Sequence, residues 1–382
     1  MENSTLVFGQ GHAPGLKAAA SLNSPNTLVL TALSATAHGE YALLRRVGHA
    51  FNQSAIVQFQ MPRPGDIHGW VNPLNCATVT RFRRANIAAV SVPGTAAGDE
   101  AEIAGVLARR LNLAHGTLKG VLLFVDARAM NMHRFLHAFD AELSPAASVI
   151  GAANRQSSDF APVTTLAGRN IADHAALAIG LYGAISMEVG MTTGFQPLPG
   201  EWTVTRAHGD AILELDGLPA LPEYLKAIER SGLTGSRGAF PLLVHNRPMG
   251  TASYSRCIVG VNARASALML SHAIDEGFKV CLMHSNAERI LAAVDQAEAA
   301  AAARFRKQTI PALRIAMSCV NRREQLGPRF DEERELVRTN MRSGQGLADF
   351  YSDGVIARQP GGGCQVHCQA MGLALIGEDR LV

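Results

Sequence analysis

The feature that most restricts the fold of this chain is an order of strand, helix and strand that occurs twice. Apolar runs and helical periodicity predict the first unit at residues 27–33, 38–51 and 55–59. They predict the second unit at residues 121–125, 131–143 and 147–150. Val29 aligns with Val121 and Phe51 with Leu143, an offset of about 92 residues. This offset is too long for a solenoid. It indicates either a duplicated α/β half, with two β-α-β units in one core, or a chance similarity.

The second half of the chain has a different pattern. Beyond Glu188, short strand-like runs alternate with turns and with helices predicted near 219–230 and 285–305. Asp99-x-x-Glu102 and Ser285-x-x-Glu288 have the spacing of a capping box at a helix start. We therefore predict an α/β protein of two domains, the first at 27–190 with the duplicated β-α-β units and the second, mixed α/β, at 191–377. An irregular lead-in at 1–26 and a tail at 378–382 complete the chain.

The composition excludes several classes of protein. With 47% apolar and 18% charged residues, the chain has too much apolar surface to stay disordered. A net charge of +3 lacks the basic excess typical of a nucleic-acid-binding protein. The most apolar segment, 175–187, has 13 residues and is too short to span a membrane. Six cysteines are too few for a disulfide scaffold, so we expect a cytoplasmic protein with reduced thiols.

Motifs for catalysis are largely absent from the sequence. It contains no Gly-x-x-x-x-Gly-Lys loop, no Gly-x-Ser-x-Gly and no His-Glu-x-x-His. The triple glycine at 361–363 precedes a predicted strand, which favours a turn over a phosphate-binding loop. Cys319 would need a base to act as a nucleophile, and the sequence identifies none. These observations predict a protein that is not an enzyme.

The densest group of soft ligands is Cys364-Gln-Val-His367-Cys368. In a regular strand Cys364 and Cys368 face one side and His367 faces the other, so the three cannot bind one metal ion. Two interpretations remain. The cysteines are core residues beside a hydrogen-bonded histidine, or His367, or Cys368 on the opposite face, is a single ligand to a haem or a small molecule.

Two further segments carry side chains suited to ligand binding. Arg322 and Arg323 follow a predicted strand that ends at Cys319, and pockets in α/β proteins lie beyond the carboxyl ends of strands. The two arginines could bind a carboxylate, or they are solvated side chains at a strand end. Tyr351 could form a wall of the pocket, or it lies in the core.

An ordered series of short motifs resembles the FIST family. The series covers residues 115–377 well and 27–114 weakly. Its members are Val149-Ile-Gly151, Gly194-Phe-Gln-Pro-Leu-Pro-Gly, Trp202-Thr-Val-Thr205, Leu213-Glu-Leu-Asp-Gly-Leu-Pro-Ala220, Phe240-Pro-Leu242, Met317-Ser-Cys319-Val-x-Arg322-Arg323 and Phe350-Tyr-Ser-x-Gly354. Each motif alone is unremarkable, so the resemblance depends on their order.

The resemblance implies an intracellular ligand-sensing module. FIST proteins are usually coupled to histidine kinases, chemotaxis receptors or cyclic-dinucleotide enzymes. This sequence carries no such output domain, so we expect it to signal through a separate partner. Its single-module layout resembles a stand-alone bacterial branch that binds haem, senses nitric oxide and regulates a partner histidine kinase.

The sequence departs from the family pattern near its last strands. Val355 stands where the family has a glutamate, and His367-Cys-Gln-Ala-Met371 keeps the family's His, Gln and Met but loses its Asn and Thr. The resulting pocket is less polar, which favours haem over an amino acid.

The predicted site therefore centres on His367 as the axial iron ligand. Arg322 and Arg323 would bind the haem propionates, while Tyr351, Cys319 and Cys368 would complete the pocket. The alternatives are an amino-acid-like ligand bound by the two arginines and Tyr351, an enzyme that uses Cys319, and a protein-interaction scaffold.

Overall fold

The computed structural model describes residues 1–7, 15–34, 40–61, 76–92, 99–127, 130–154, 164–167, 170–173, 176–233, 240–245, 253–305, 309–359 and 362–379. Its helices are α1 (Leu16–Ala19), α2 (Glu40–Ala50), α3 (Glu100–Ala114), α4 (Met132–Glu142), α5 (Ala220–Ser231), α6 (Ala287–Arg304), α7 (Arg323–Leu326) and α8 (Phe330–Thr339). The strands of the first half are β1 (Glu2–Val7), β2 (Thr27–Ser34), β3 (Ala55–Met61), β4 (Cys76–Arg81), β5 (Ala85–Val92), β6 (Leu118–Asp126), β7 (Ser148–Asn154), β8 (Thr164–Ala167), β9 (Asn170–Asp173), β10 (Ala176–Gly183) and β11 (Ile185–Thr192). Those of the second half are β12 (Gln196–Pro197), β13 (Trp202–His208), β14 (Ala211–Leu215), β15 (Leu218–Pro219), β16 (Leu242–His245), β17 (Tyr254–Arg256), β18 (Ile258–Asn262), β19 (Ala267–Leu270), β20 (Lys279–His284), β21 (Leu313–Cys319), β22 (Gly346–Ser352), β23 (Gly354–Arg358), β24 (Cys364–His367) and β25 (Met371–Glu378).

Two six-stranded sheets have matching strand orders. The first sheet runs β1-β4-β2-β3-β8-β9, and the second runs β5-β10-β6-β7-β23-β24. In each sheet a parallel pair joined by a helix lies at the centre, β2-α2-β3 in the first and β6-α4-β7 in the second. The neighbouring strands on both sides pair antiparallel. A β-α-β unit therefore lies at each of the two predicted places, and the units belong to different sheets.

A similar sequence offset also aligns the apolar run at 175–182 with the run at 87–92, and the strand pairing differs from this alignment. Strand β10 pairs with β6 as β4 pairs with β2, so β10 is the counterpart of β4. Strand β5 occupies the outer position that β1 occupies in the first sheet. The two six-stranded sheets therefore correspond strand by strand in their pairing. The correspondence begins near residue 2, within the segment that the sequence pattern predicts to be an irregular lead-in.

A hairpin from the end of the chain completes the second sheet. Strand β23 pairs antiparallel with β7 and with β24, with Val355 opposite both Ala152 and His367. The first sheet is completed in the same way by the hairpin β8–β9, which comes from between β7 and β10. Strand pairing also joins β11 to β25. Strands from both sides of the predicted boundary at 190–191 therefore share sheets.

The third sheet, β11-β25-β21-β22, lies between two layers. One face packs against α6 and α8 through residues such as Val294, Val337 and Leu373. The other face shares one core with both six-stranded sheets. Strand β6 is apolar almost throughout because Leu122 packs in this shared core while Val121 packs on the other face, against α3 and α4. The third sheet therefore connects the two halves through a single core.

The fourth sheet, β17-β16-β20-β13-β14-β19-β18, forms a separate unit with its own core. Helix α5 covers this core with Ala220 and Tyr224, and the Tyr224 hydroxyl donates to the Phe240 carbonyl at 3.1 Å. Among the described helices, none combines the length and apolarity needed to cross a membrane.

The helix starts differ partly from the predicted caps. Asn131 caps α4, since its side chain accepts hydrogen bonds from the next turn. Helix α6 is capped by Asn286 rather than by Ser285, whose hydroxyl donates to the Gly194 carbonyl at 2.7 Å. Asp99 precedes α3 without a side-chain cap bond. Spacing alone cannot separate a cap from a polar residue that is used in a tertiary contact.

The chain ends and two late strands also differ from the prediction. Residues 2–7 of the predicted lead-in form β1, while 8–14 lie outside the described residues. Glu378 and Asp379 of the predicted tail are ordered, since Glu378 accepts from the terminal amine of Met1 at 2.8 Å. Residues 380–382 of the predicted tail lie outside the described residues, as do residues 62–65, which the Pro-Arg-Pro-Gly sequence predicts to be a loop. Apolar runs predict one continuous strand at 349–356 and another at 365–375, and the structure has two strands in each range, separated at Asp353 and at 368–370.

Candidate functional site

Several strands end at one edge of the second and third sheets. The parallel pair β6–β7 ends with Asp126 opposite Asn154, and the parallel pair β21–β22 ends with Cys319 opposite Ser352. Strand β24 ends at His367 on the same edge. The chain crosses from the third sheet to the second at Asp353, between β22 and β23. We call this the carboxyl edge, after the carboxyl ends of the strands that meet there. Open α/β sheets bind ligands beyond the carboxyl ends of their strands.

Three thiols from distant segments meet at the carboxyl edge. Cys257, Cys319 and Cys368 form one buried cluster, and each is at most 1% exposed. All three are free cysteines. The Cys319 thiol donates to the Asp353 carbonyl at 3.2 Å. The structure therefore places Cys319 and Cys368 in one cluster and adds Cys257 to them.

The fourth sheet supplies the polar groups around Cys368. The Ser271 hydroxyl lies 2.8 Å from Cys368 Sγ, and His272 Nδ1 lies 3.8 Å from the same sulfur. The Cys368 amide donates to the Ser255 carbonyl at 3.2 Å, and the Ser255 hydroxyl donates to the Cys368 carbonyl. These bonds attach the turn between β24 and β25 to the fourth sheet.

Arg256 places a buried positive charge beside this turn. Its side chain is 1% exposed, and Nη1 donates to the Val366 carbonyl at 2.7 Å and to the Ser255 carbonyl at 3.2 Å. Its guanidinium lies 4.2 Å above the centre of the Tyr254 ring. Within the described residues no carboxylate lies within ion-pair distance of Arg256. The cation is therefore held by carbonyls and an aromatic ring.

His367 is a neutral, buried imidazole. It is 1% exposed and lies opposite Val355, on the side of β23 that faces the shared core. Burial, with a smaller effect of the Arg256 charge, lowers the pKa of His367 to about 3. Its Nε2 has no hydrogen-bond partner among the described residues, and the same holds for Nε2 of His272, which is 3% exposed. Two buried imidazole nitrogens near the carboxyl edge are thus without a partner in the part of the chain that the structure describes.

The surroundings of Gly354 explain why the motif Phe350-Tyr-Ser-x-Gly354 ends in glycine. A methyl group added at Gly354 would lie 2.5 Å from Val366 Cγ1 and 3.2 Å from His272 Cε1. Only glycine leaves space for both side chains where the chain enters β23. The glycine of Phe350-Tyr-Ser-x-Gly354 therefore permits the close approach of His272 to the carboxyl edge.

Arg322 has a different role from the predicted one. It is fully buried and forms an ion pair with Glu333, with Nε 2.7 Å from Oε1. Its remaining bonds go to three backbone carbonyls, those of Thr193, Ile290 and Gln369. Four of its five N–H groups donate hydrogen bonds within the protein. Arg322 therefore links segments of the fold and does not offer two free N–H groups for bidentate binding of a propionate or carboxylate. Arg323 begins the short helix α7 and is half-buried.

Tyr351 lies in the shared core, in agreement with the second of its two interpretations. It is 4% exposed, its ring centre lies 4.8 Å from that of Phe330, and Arg334 approaches its face at 5.9 Å. Burial raises the pKa of the Tyr351 hydroxyl well above its ordinary value. Its ring therefore packs β22 against the start of α8.

Cys364 and Cys368 do not share an environment. Strand β24 ends at His367, and the following turn contains Gln369 with a positive φ of 55°. Cys364 packs with the helices of the second β-α-β unit, whereas Cys368 joins the thiol cluster. Strand alternation cannot be extended to Cys368 for this reason. Among the described residues, no group of three or more His, Cys, Asp or Glu has an arrangement suited to a metal ion.

A cleft of about 270 Å³ lies at the opposite edge of the second sheet. It is lined by Ser148 at the start of β7 and Arg358 at the end of β23, and by Glu188 of β11 and Arg304 of α6. Arg358 is engaged there by Asp140 at 2.7 Å, and Arg304 by the Val189 carbonyl. None of the predicted site residues lines this cleft.

Sequence reasoning did not identify Cys257, Ser271, His272 or Arg256. They lie on short strands and turns of the fourth sheet, about 100 residues from Cys368. No local motif joins them to the carboxyl edge, and a contact of this kind arises only from the fold.

The comparisons with known proteins agree with this architecture. The model of the FIST N domain matches residues 27–218, and the model of the FIST C domain matches residues 218–358. The search of curated proteins gives no match to the chain. FIST domains are small-ligand sensing domains and are not catalytic domains. Since the two models together span most of the sequence, the chain belongs to the FIST family.

Proposed function

We propose that this protein is a sensor whose ligand binds at the carboxyl edge, beside His367 and His272. The observation that carries the proposal is the pair of buried Nε2 atoms without a partner among the described residues. Buried polar atoms in native proteins are nearly always hydrogen-bonded, so an unpaired one indicates a missing water, ion or ligand. The imidazoles come from different sheets, and a ligand bound to either would affect how the fourth sheet contacts the second.

The finer proposal is that haem is the cofactor, nitric oxide the signal and a histidine kinase the partner. A haem site needs a nitrogen or sulfur ligand, an apolar environment and basic groups for the propionates. His367 fits the first requirement, since its imidazole is neutral and its Nε2 is unpaired. Val355, the buried apolar residue opposite it, fits the second. Arg322 does not fit the third, which leaves that role to Arg323. Bound haem would supply the iron to which nitric oxide binds.

An absorption spectrum after reconstitution with hemin tests the haem proposal. We expect a Soret band for the natural protein, loss or displacement of that band in His367→Ala, and an unchanged band in the control His208→Ala, whose side chain is exposed on β13. A spectrum of His367→Ala identical to that of the natural protein would exclude His367 as the iron ligand. Absence of any Soret band in the natural protein would exclude haem.

Thermal-shift measurements test the sensor proposal independently of haem. A ligand that binds only the folded state raises the melting temperature, because its binding adds a stabilisation that grows with the logarithm of the ligand concentration above the dissociation constant. Stabilisation by amino acids that disappears in His272→Ala or His367→Ala would favour an amino-acid-like ligand at the same edge. Stabilisation that both variants retain would place the ligand elsewhere and overturn the proposal.

The kinase partner is tested by phosphorylation. We expect the autophosphorylation rate of a histidine kinase that co-purifies with the protein to change when nitric oxide is added to the reconstituted complex. An identical rate with and without nitric oxide would count against this pair of signal and partner.

A further inference from the structure

The cluster of Cys257, Cys319 and Cys368 is not used by the proposed sensor function. Its thiols come from the fourth sheet, from the end of β21 and from the turn after β24, and they contact one another away from solvent. Free cysteines are often buried simply as small apolar residues. The surroundings of Cys368 are polar, however, which sets it apart from an inert core cysteine.

The hydrogen bonds around Cys368 favour its thiolate form. The Ser271 hydroxyl oxygen accepts from the Cys257 amide at 3.2 Å and lies 2.8 Å from Cys368 Sγ, so a polar hydroxyl is within hydrogen-bond distance of this sulfur. His272 Nδ1 is the next nitrogen, at 3.8 Å from this sulfur. A hydrogen bond from the Cys257 thiol, reinforced by His272 and Arg256, holds the pKa of Cys368 well below its ordinary value despite burial.

The two neighbouring thiols remain protonated. Hydrogen bonds with Cys319 and Cys368, together with burial, raise the pKa of Cys257 well above its ordinary value. The Cys319 thiol donates to a carbonyl, a bond that requires its proton. Cys368 is therefore the more acidic thiol of the pair, and Cys257 is the less acidic one.

Arg256 supplies the charge balance for a thiolate. A buried cation is costly unless an anion or several hydrogen bonds compensate it. Within the described residues no carboxylate lies within ion-pair distance of Arg256, and its positive charge acts on the Cys368 sulfur. The geometry therefore combines a compensated sulfur anion with an adjacent thiol.

We propose that Cys368 and Cys257 form a peroxide-reactive dithiol, with Cys368 as the attacking sulfur and Cys257 as the resolving thiol. In the first step the Cys368 thiolate attacks one oxygen of hydrogen peroxide and the O–O bond breaks. The hydroxide that leaves takes up a proton to give water, and Cys368 becomes a sulfenic acid. In the second step the Cys257 sulfur attacks Cys368, the S–O bond breaks, and a second water leaves with the Cys257 proton. The oxidised product is a disulfide.

Burial defines the class of oxidant. Hydrogen peroxide is little larger than water, whereas glutathione disulfide and aromatic disulfide reagents are bulky. Side chains that are at most 1% exposed are closed to bulky reagents in the folded protein. The site is therefore selective for small peroxides. Its disulfide would link the start of β18 to the turn that follows His367, next to the proposed ligand site.

Peptide mapping of the full-length protein tests the proposal. The protein is treated with hydrogen peroxide, denatured, alkylated and digested, and the alkylated fraction of each cysteine is measured by mass spectrometry. We expect a cross-linked pair of peptides containing Cys257 and Cys368, with Cys368 oxidised at least ~10-fold faster than Cys364 or Cys281. Both reference cysteines are buried, and burial raises the pKa of each thiol.

The variant Cys257→Ser separates the two steps. Without the resolving thiol, Cys368 should stop at the sulfenic acid and be captured by a 1,3-dione probe added together with denaturant after the peroxide has been removed, whereas Cys368→Ser should give no probe adduct at Cys257. If neither variant folds, the mapping of the natural protein decides by itself. Oxidation of all six cysteines at similar rates, or a cluster that stays fully reduced while Cys364 is oxidised, would overturn the proposal.

Discussion

Arg322 and Glu333 form an ion pair in the interior, with Nε 2.7 Å from Oε1 and side-chain exposures of 0% and 1%. Glu333 also accepts from the Ser318 hydroxyl at 2.5 Å, while Arg322 donates to carbonyls in three other segments. The pair joins α8 to the end of β21 and to the turn after β24. It therefore fixes the position of the backbone on which Cys319 and His367 lie.

Replacing Arg322 by methionine should destabilise the protein strongly. The change leaves the Glu333 carboxylate buried without its partner, and loss of one member of a buried pair costs about 3–5 kcal/mol. Urea unfolding measures the loss. Arg329→Met is the control. Arg329 forms ion pairs with Glu288 and Glu332 at the surface, so its replacement should change the free energy of unfolding by no more than the experimental error. Unchanged stability of Arg322→Met with loss of ligand binding would instead support the propionate role.

His367 should make stability depend on pH. Its folded-state pKa of about 3 is below the unfolded value of about 6.5, so the unfolded chain binds the proton more tightly. The stabilisation is complete above pH 6.5 and is lost as pH falls toward 3, by up to about 1.4 kcal/mol per pH unit. The difference in unfolding free energy between the natural protein and His367→Gln should therefore change across this range.

His208→Gln is the matched control for this pH dependence, since His208 is exposed. Its unfolding free energy should run parallel to that of the natural protein from pH 7 to pH 4. A parallel curve for His367→Gln as well would mean that His367 binds its proton equally well in the folded and unfolded protein, which would contradict the lowered pKa of its buried imidazole.

Gly194→Ala should be costly, because Gly194 has a φ of 72° and an added methyl would lie 2.6 Å from the Arg289 carbonyl oxygen. The variant suffers both the left-handed backbone and a clash with α6, together more than about 3 kcal/mol. Gly209→Ala isolates the first effect, since Gly209 has a φ of 58° and open space around it. That control should lose only about 1–2 kcal/mol in thermal or urea unfolding. Equal losses of unfolding free energy in the two variants would show that α6 moves away from the added methyl at no cost in free energy.

The cap of α4 can be tested through Asn131→Ala. The Asn131 side chain accepts hydrogen bonds from the amides of His133 and Arg134 at 3.1 and 3.2 Å. Its removal should cost about 1 kcal/mol of unfolding free energy. Asp99→Ala is the comparison at α3, where no side-chain cap bond exists, and should cost less. A larger loss at Asp99 would show that charge near the helix start outweighs the cap bond.

Local patterns predicted much of the fold. Apolar runs and helical spacing are properties of ten to twenty residues, so both β-α-β units appear where periodicity indicates them. The hairpin β23–β24 could not be predicted as part of the second sheet, because nothing near residue 354 records its pairing with β7. This contact could not be predicted because the two strands lie far apart in the sequence, and not because their β propensity is weak.

The site was predictable only in part for the same reason. Cys319 was a candidate because it ends a predicted strand, and Cys368 because it belongs to the densest group of soft ligands; the fold brings the two together. Arg322 was a candidate because arginine is a residue type suited to ligand binding. Its partner Glu333 lies on a helix face where a carboxylate is expected to be solvated, so nothing in the sequence indicated the pair. The fold instead buries both groups. Cys257 and His272 reach the edge through the fourth sheet, whose placement no short motif encodes.

The late hairpin has a consequence for how this protein is made. Strand β7 leaves the ribosome some 200 residues before β23, so throughout that synthesis its outer backbone groups are without their final strand. An open strand edge is a template for pairing with other chains. A nascent chain, or a fragment cut at residue 218 between the two family matches, should therefore aggregate through the β7 edge until the last part of the protein is supplied.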